Sequence, residues 1–401
     1  MKELISSVFE RCRNHFPDIV EIRRDLHMHP ELGFEVQRTA GVVADELERI
    51  GLKVTRGVGK TGVVGDIDVP GAERRIALRA DMDALAMEEL GEIPYRSRIK
   101  GRAHMCGHDV HTAILLGAGR VLSEMKDRLK VSVRLVFQPS EESPPGGALA
   151  MVEDGVLEGV DEIFGLHVWP GLEAGHFGIS PGAFLSQADR FRISIVGKGG
   201  HAAQPSFAID PIVLGAQFVT LLQSVVSRNV DPLESAVVTV TRFHGGTADN
   251  IIPPEVTMTG TVRTLKSEVQ TLVREKIQAL LDGLTSTQGA SHVFSYEEGY
   301  PVTFNHEQSV KRALSATRSL VGEDQVLFPQ PPMMGSEDFG YFSREIPGCF
   351  INLGCANEKK GITARCHNPM FDVDEECMVY GMALEVLLAL QFHLDPNDLA
   401  G

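Results

Sequence analysis

The sequence predicts an α/β protein whose main domain has a mainly parallel sheet flanked by helices, with a smaller α+β domain inserted into it. Three apolar stretches, Ile76–Leu78, Val131–Phe137 and Ile163–Leu166, alternate with helical segments, an order typical of a parallel sheet. Near Gln187 the pattern changes, because Phe191–Val196 mostly alternates as a half-buried antiparallel strand does. A chain of 401 residues is also long enough for two domains.

The inserted domain is predicted from a strand–helix–strand–strand–helix–strand order, a compact βαββαβ unit with one helical layer. Its two helices are expected at about 211–227 and 267–283, and its last strand at about 292–297. After it, helix–strand–helix patterns return, with a strand at Cys349–Leu353. We therefore assign residues 1–186 and 298–401 to the main domain and residues 187–297 to the inserted domain.

The N-terminal region predicts helices in front of the first strand. Two amphipathic helices are expected on either side of Pro17, and the second should end at His29 because a residue before proline avoids the helical conformation. A further helix is expected from about 37 to 50, with Gly51 as its C-terminal stop.

Composition narrows the class of protein. The formal net charge of −16 argues against nucleic acid as a partner and favours a small ligand. No apolar run has the length of a membrane span, and the charged N-terminus does not fit a signal peptide. The six cysteines have no framework spacing, which indicates reduced thiols and a cytoplasmic protein.

The segment from His104 to His111 contains three histidines, a cysteine and an aspartate, all of which can bind a metal. Gly107 allows a tight turn, so that Cys106 and His108 could face a single ion. A helical pattern follows to about Met125, which places the cluster on a loop entering a helix. The alternative is a histidine-rich surface loop with a buried structural thiol.

The three predicted parallel strands end in polar residues, and ligands bind at that edge of such sheets. Of the adjacent acids Glu141 and Glu142, one can ligate a metal while the other acts as general base; the alternative is a pair of solvated loop acids. His167 could be a ligand or a core histidine. Asp81 and Asp83 could orient a ligand histidine, although Asp81 could instead cap a helix over 83–89.

Polar candidates also lie outside these strand ends. His201 lies in a glycine-rich loop of the inserted domain, with Asn250 and Arg263 further along, and Arg263 suits a bidentate contact with a substrate carboxylate. His367 follows the last strand in a turn-prone segment. For all four, ordinary turn and surface chemistry is the alternative.

With these residues collected, the chain resembles the aminoacylase/carboxypeptidase family of two-metal zinc peptidases, and most closely its hippurate hydrolase and indole-acetyl-amino-acid hydrolase branch. The motifs occur in the family's order from residue 24 to residue 369. They are Arg24–His27 with Pro30-Glu31, Arg79–Ala84, Cys106–Asp109, Gln138–Glu142, Gly165–His167, Gly199–Ala203, Asn250–Pro253, Gly335–Phe339 and His367–Pro369.

The resemblance implies two divalent metal ions, with zinc the first choice and manganese, cobalt or nickel as alternatives. It implies the ligands Cys106, His108, Glu142, His167 and His367. It further implies that Glu141 is the general acid/base. Asp83 is also predicted to be a catalytic residue.

The resemblance also assigns roles to the inserted domain. It implies a dimerisation and lid domain in which His201 and Asn250 complete the substrate pocket, with His201 donating to the oxyanion. A homodimer or a dimer-based tetramer follows. One departure is Ser143-Pro144-Pro145, where the family has a short glycine-containing link; this concerns substrate preference rather than metal binding.

The predicted function is a metal-dependent amidohydrolase that cleaves N-acyl-amino acids, with a carboxypeptidase or dipeptidase acting on short peptides as the alternative. A non-catalytic binding protein is less consistent with the glutamate at 141. A cysteine hydrolase using Cys106 as nucleophile is less consistent with five dispersed ligand-type residues.

Overall fold

The computed structural model describes residues 2–395, which form nine α-helices. They are α1 (Lys2–Met28), α2 (Gln37–Arg49), α3 (His108–Glu124), α4 (Gly147–Glu153), α5 (Pro211–Asn229), α6 (Ser267–Thr287), α7 (Glu307–Val321), α8 (Gly340–Glu345) and α9 (Cys377–Gln391).

The same residues form sixteen strands. They are β1 (Lys53–Val58), β2 (Gly62–Ile67), β3 (Arg75–Asp81), β4 (Ser132–Gln138), β5 (Glu162–Glu173), β6 (Phe177–Gly178), β7 (Gly182–Leu185), β8 (Gln187–Val196), β9 (Gly200–His201), β10 (Ala236–Gly245), β11 (Ile251–Ile252), β12 (Glu255–Thr264), β13 (Ser291–Tyr300), β14 (Thr303–Asn305), β15 (Val326–Leu327) and β16 (Gly348–Ala356).

The chain divides into two compact units. The first unit comprises Met1–Phe184, Thr303–Pro331 and Asp338–Gly401, and the second comprises Leu185–Val302 and Pro332–Glu337. The predicted inserted domain, 187–297, lies within the second unit. Residues 396–401, which the prediction placed in the main domain, lie outside the described residues.

The first unit is built on an eight-stranded sheet in the order β1-β2-β4-β3-β5-β16-β6-β15. The central strands β4, β3, β5 and β16 run parallel, whereas β1 and β2 are antiparallel additions at one edge. Helices α1, α3 and α9 pack together beside the sheet through fully buried apolar side chains such as Val8, Leu115 and Leu387. This arrangement confirms the predicted mainly parallel sheet flanked by helices.

The second unit has a four-stranded antiparallel sheet in the order β10-β12-β8-β13. Helices α5 and α6 pack on it through a separate apolar core that includes Phe191, Phe218 and Ile277. Strands and helices occur in the chain order β8-α5-β10-β12-α6-β13, which is the predicted βαββαβ order, with the short strands β9 and β11 added.

The prediction of two N-terminal helices is wrong, because α1 continues without interruption through Pro17. Val8, Cys12, Ile19 and Leu26 are all fully buried and form one continuous stripe across the proline. A proline inside a helix removes one hydrogen bond and costs about 3 kcal/mol, and burial of this stripe offsets that cost. The predicted ends of α1 before Pro30 and of α2 before Gly51 are confirmed.

The prediction that a strand ends at His167 is also wrong, because β5 continues to Glu173. Its pairing with β3 stops at Arg79 opposite Gly165, whereas its pairing with β16 continues through Asn352 opposite His167. Strand β16 therefore keeps β5 extended beyond its last pair with β3. His167 lies two residues beyond that pair, at the edge of the sheet where β3 ends. In residues 2–395, no helix has both the length and the apolar character needed to cross a lipid bilayer.

Candidate metal centre and active site

The loop before α3 turns sharply at Gly107, whose φ of 93° lies in the left-handed region that favours glycine. A side chain at this position would also collide with Val168, since a built Cβ lies 2.3 Å from its Cγ2. This turn places Cys106 on one side of the helix start and His108 in the first position of α3. The Cys106 Sγ lies 3.5 Å from Nε2 of His167.

His108 lies among carboxylates at the sheet edge. Its Nδ1 is 3.4 Å from Asp83 Oδ1, and its Nε2 is within 4.0 Å of carboxylate oxygens of Asp81, Glu141 and Glu142. Among the residues that the structure describes, none forms a hydrogen bond with either buried ring nitrogen. Burial alone lowers the pKa of His108, but the negative charges of Asp81 and Asp83 outweigh it and raise the pKa well above its usual value. The surroundings of His108 therefore favour a positive charge.

Two groups of potential metal ligands share Cys106. In one, Cys106 lies with His108 and His167; in the other, with Glu142 and His367, and within each group the ligand atoms lie within 4.8 Å of one another. His367 reaches this place because its backbone N–H donates to the Met105 carbonyl at 2.7 Å. The structure thus brings all five residues predicted as metal ligands together.

The donor set fits transition metal ions. A thiolate, imidazoles and a carboxylate are the ligands that zinc and its neighbours prefer. A hydrogen bond with Cys366, burial and the charge of Glu142 raise the pKa of Cys106 well above its usual value. A thiolate at this position therefore requires a compensating cation, which a divalent metal supplies.

Asp83 and Asp81 have different partners. Asp83 accepts backbone hydrogen bonds from Glu141 at 2.8 Å and Glu142 at 3.1 Å. Asp81 accepts from Nδ1 of His111 at 2.6 Å, and Nε2 of that ring accepts from the Val168 N–H at 2.9 Å. The alternative in which Asp81 caps a helix over 83–89 is excluded, because Asp81 ends β3 and no helix follows in that segment.

The remaining polar residues of the cluster face away from Cys106 and His108. Asp109 forms a buried ion pair with Arg23 at 2.7 Å and contacts His27 at 2.8 Å. His104 is buried near His27, and burial lowers its pKa to about 3. Both residues belong to a buried network against α1.

Two features were missed from the sequence. Cys366 lies close enough to Cys106 to raise its pKa, and its position next to His367 was the available signal. A buried network also joins Arg79 to Gln138 at 2.8 Å and to Asp338 at 3.1 Å. The carboxylate of Asp338 also accepts from the Ala148 N–H at 3.0 Å, so this network holds both ends of the loop that carries Glu141. Arg79, Gln138 and Asp338 lie in the quoted motifs, although nothing in their spacing indicates mutual contact.

The predicted residues of the second unit lie at two places within it. His201 is exposed in β9, where it pairs with Ile251 of β11, and its Nδ1 accepts from the Ala203 N–H at 3.1 Å. The Asn250 carbonyl accepts from the Ala202 N–H at 3.0 Å, which places Asn250 beside His201 in the chain's fold. Arg263 lies on β12, is half-buried and donates to Ser336 Oγ at 2.8 Å.

Comparisons with known proteins all indicate the same protein family. The model of peptidase family M20/M25/M40 matches residues 77–391. The putative amidohydrolase YhaA of Bacillus subtilis is 37% identical, over 94% of this chain and 95% of the relative. IAA-amino acid hydrolase ILR1-like 4 of Arabidopsis thaliana is 41% identical, over 96% of this chain and 88% of the relative.

A solved structure extends the likeness to three dimensions. The YXEP protein of Bacillus subtilis, described as a dinuclear metal binding peptidase from the M20 family, has a TM-score of 0.83 and 33% identity. The match covers 95% of this chain and 99% of that one. These matches confirm the resemblance inferred from the sequence motifs. The chain therefore belongs to peptidase family M20/M25/M40 and is a hydrolase.

Proposed function

We propose that the protein is a metal-dependent amidohydrolase that releases a carboxylic acid and a free amino acid from N-acyl-amino acids. The observation that carries the proposal is that Cys106 belongs to two groups of metal ligands at once, with the Glu141 carboxylate at the same edge of the sheet. These residues could hold two divalent metal ions beside a carboxylate, which would supply the chemistry that amide hydrolysis requires.

In this proposal the five predicted ligands would hold two divalent ions. Cys106, His108 and His167 could bind one ion, and Cys106, Glu142 and His367 could bind the other. Zinc is the first choice, and manganese, cobalt or nickel are alternatives. Bound metal ions would polarise the amide carbonyl and lower the pKa of a water molecule.

Glu141 is the proposed general base. Its residue is only 6% exposed, and Asp83 accepts its backbone N–H, so its position is well defined. It takes a proton from the attacking water and delivers it to the nitrogen of the departing amine. The amine then leaves as a neutral group, which makes cleavage of the C–N bond possible.

His201 is the proposed donor to the developing oxyanion. Its Nδ1 accepts a backbone N–H, so the proton of the neutral ring must reside on Nε2, which is then a donor. Asn250 and Arg263 are proposed to bind the substrate, with Arg263 contacting the amino-acid carboxylate. A homodimer or dimer-based tetramer is proposed for the assembly.

The alternative function is that of a carboxypeptidase or dipeptidase. Hydrolysis rates with different substrates distinguish this alternative from the proposed amidohydrolase. Protein of measured metal content should be assayed with N-acetyl, N-benzoyl and indole-acetyl amino acids, and with dipeptides lacking an acyl group. The proposal expects kcat/KM for at least one N-acyl-amino acid to exceed that for every dipeptide. Faster hydrolysis of dipeptides would establish the alternative, and no hydrolysis by fully loaded protein would contradict both.

A further inference from the structure

The four-stranded sheet of the second unit buries one face against α5 and α6 and carries arginines on the other. On β8 the buried residues Phe191 and Ile193 alternate with the exposed residues Arg190 and Arg192. Because successive side chains of a strand point to opposite faces, the two arginines project from the face that bears no helix of this unit. Arg242 of β10 is exposed as well.

These arginines line a single cavity of about 670 Å³. Arg192 lies between Thr259 on one neighbouring strand and Ser295 on the other, and Thr259 is in turn opposite Arg242. Neighbouring strands are about 4.8 Å apart, so several guanidinium groups can reach one small ligand. The lining also contains Arg263, Glu297 and the hydroxyl groups of Thr259 and Ser295.

The positive charge of this cavity is compensated only in part. The side chains of Arg190, Arg192 and Arg242 form no hydrogen bond or ion pair with any residue in the range 2–395. Glu297, the only acid of the lining, lies opposite Arg190 in the sheet. Four arginines therefore face one glutamate, in a chain whose formal net charge is −16.

Asp189, a buried acid next to Arg190 in the chain, has other partners. Asp189 is 1% exposed and accepts from the Tyr296 hydroxyl at 2.6 Å and from Gln187 at 3.0 Å. Burial and then the nearby charge of Arg190 lower the pKa of Arg263, and the opposing charge of Asp189 does not outweigh them. The described part of the chain therefore supplies too little negative charge to balance these arginines, and an anionic ligand could supply the remainder.

We propose that this face binds a small multivalent oxyanion, a ligand with two or more phosphate or carboxylate groups. Guanidinium groups bind both through paired N–H donors, and the hydroxyls of Thr259 and Ser295 add further donors. A ligand that contacts both Arg192 and Arg242 would span three strands, since they lie on β8 and β10 with β12 between them. Of the proposed substrate and metal residues, Arg263 also lines this cavity, so the anion site adjoins the proposed contact for the substrate carboxylate.

The test is calorimetric titration of the full-length, metal-loaded protein at about 0.15 M salt with two probes, inorganic pyrophosphate and tricarballylate. Binding of pyrophosphate alone would identify a phosphate ligand, and binding of tricarballylate alone a carboxylate ligand. Arg192→Gln and Arg242→Gln should each weaken binding about tenfold or more, because each removes a charge-assisted contact. Arg274→Gln is the matched control, because Arg274 pairs with Glu298 at 3.2 Å and lies outside this cavity.

A further variant excludes binding at the metal centre. Cys106→Ala should still bind the probe, because its change lies in the first unit. The proposal is overturned if neither probe binds, if binding is lost in Cys106→Ala, or if Arg274→Gln weakens binding as much as Arg192→Gln. Unchanged circular dichroism of the arginine variants would show that a loss of binding is not a loss of folding.

Discussion

Asp83 accepts a hydrogen bond of 2.8 Å from the backbone N–H of Glu141 through one carboxylate oxygen. Its other oxygen accepts from the backbone of Glu142 at 3.1 Å. Asp83 is 1% exposed, and burial raises its pKa even though the nearby His108 ring lowers it. One buried side chain thus anchors the main chain of both glutamates, and a change at Asp83 should act through their positions.

Asp83→Asn should therefore lower kcat by about 10- to 100-fold. The asparagine amide has only one acceptor oxygen and turns an NH₂ group toward the second backbone N–H, so the glutamates should shift. A shift of about 1 Å in a reacting group lowers the rate about 100-fold. Steady-state kinetics with metal analysis is the measurement. Asp68→Asn is the control, because Asp68 is an exposed partner of Arg75. An Asp83→Asn enzyme with the kcat of the control would contradict this role.

Substitutions of the two glutamates should have different effects. Glu141→Gln cannot accept a proton, so it should keep its metal and bind substrate while kcat falls about 100- to 10,000-fold. Glu142→Gln weakens a metal ligand, so metal should be lost and activity partly restored by excess zinc, manganese or cobalt. Metal analysis and kcat with and without added metal are the measurements. The opposite pattern would exchange the two roles, and full activity of both variants would refute the proposed site.

Removal of proposed ligands should reduce metal content. Cys106→Ala and His108→Ala each remove a donor atom, so bound metal and activity should fall together. Cys366→Ala is a matched control, because its thiol contacts Cys106 but belongs to neither group of ligands. It should retain at least most of the metal, as measured by elemental analysis after dialysis. Full occupancy in Cys106→Ala would show that the thiolate is not a ligand.

His201→Ala should lower kcat by about 100-fold or more with unchanged metal content, since loss of one oxyanion donor has an effect of this size. The reason lies in the ring's hydrogen bond from Ala203, which leaves Nε2 as the donor. The measurement is kcat and KM across several substrates. If only KM changes, His201 is a binding contact.

Stability should depend on pH through Glu385. Burial raises the pKa of this carboxyl well above its usual value, and its Oε2 has no hydrogen-bond partner among residues 2–395. The folded state thus binds more protons than the unfolded state above about pH 4.5. The free energy of unfolding therefore falls as pH rises through that window, by at most about 1.4 kcal/mol per pH unit from this group.

Glu385→Gln should remove this dependence and raise the stability at pH 8. Urea denaturation from pH 5 to pH 8 measures it, with Glu21→Gln on the exposed side of α1 as control. Equal slopes for Glu385→Gln and the unmodified protein would contradict a buried neutral carboxyl.

Local patterns in the sequence were sufficient for much of the fold. Two-residue alternation predicted β8, and the helix α3 followed from apolar residues repeating after His108. Gly51 and Pro30 marked helix ends, because their backbone preferences act within one or two residues. The sequence also indicated the family, because the family's motifs are short and occur in the same order along this chain.

Contacts between distant segments of the chain decided the structural features that local sequence patterns did not predict. Pro17 lies inside α1, and His167 lies inside β5, because packing on α3 and α9 and pairing with β16 outweigh local signals. Within the helix start, His108 and Asp109 differ by about 100° in direction, so that one faces the carboxylates and the other faces Arg23. The sequence alone determined which residue types were available for a metal centre. Only tertiary structure decided which of them share it, because their separation in space depends on strand pairing and helix rotation that no local pattern encodes.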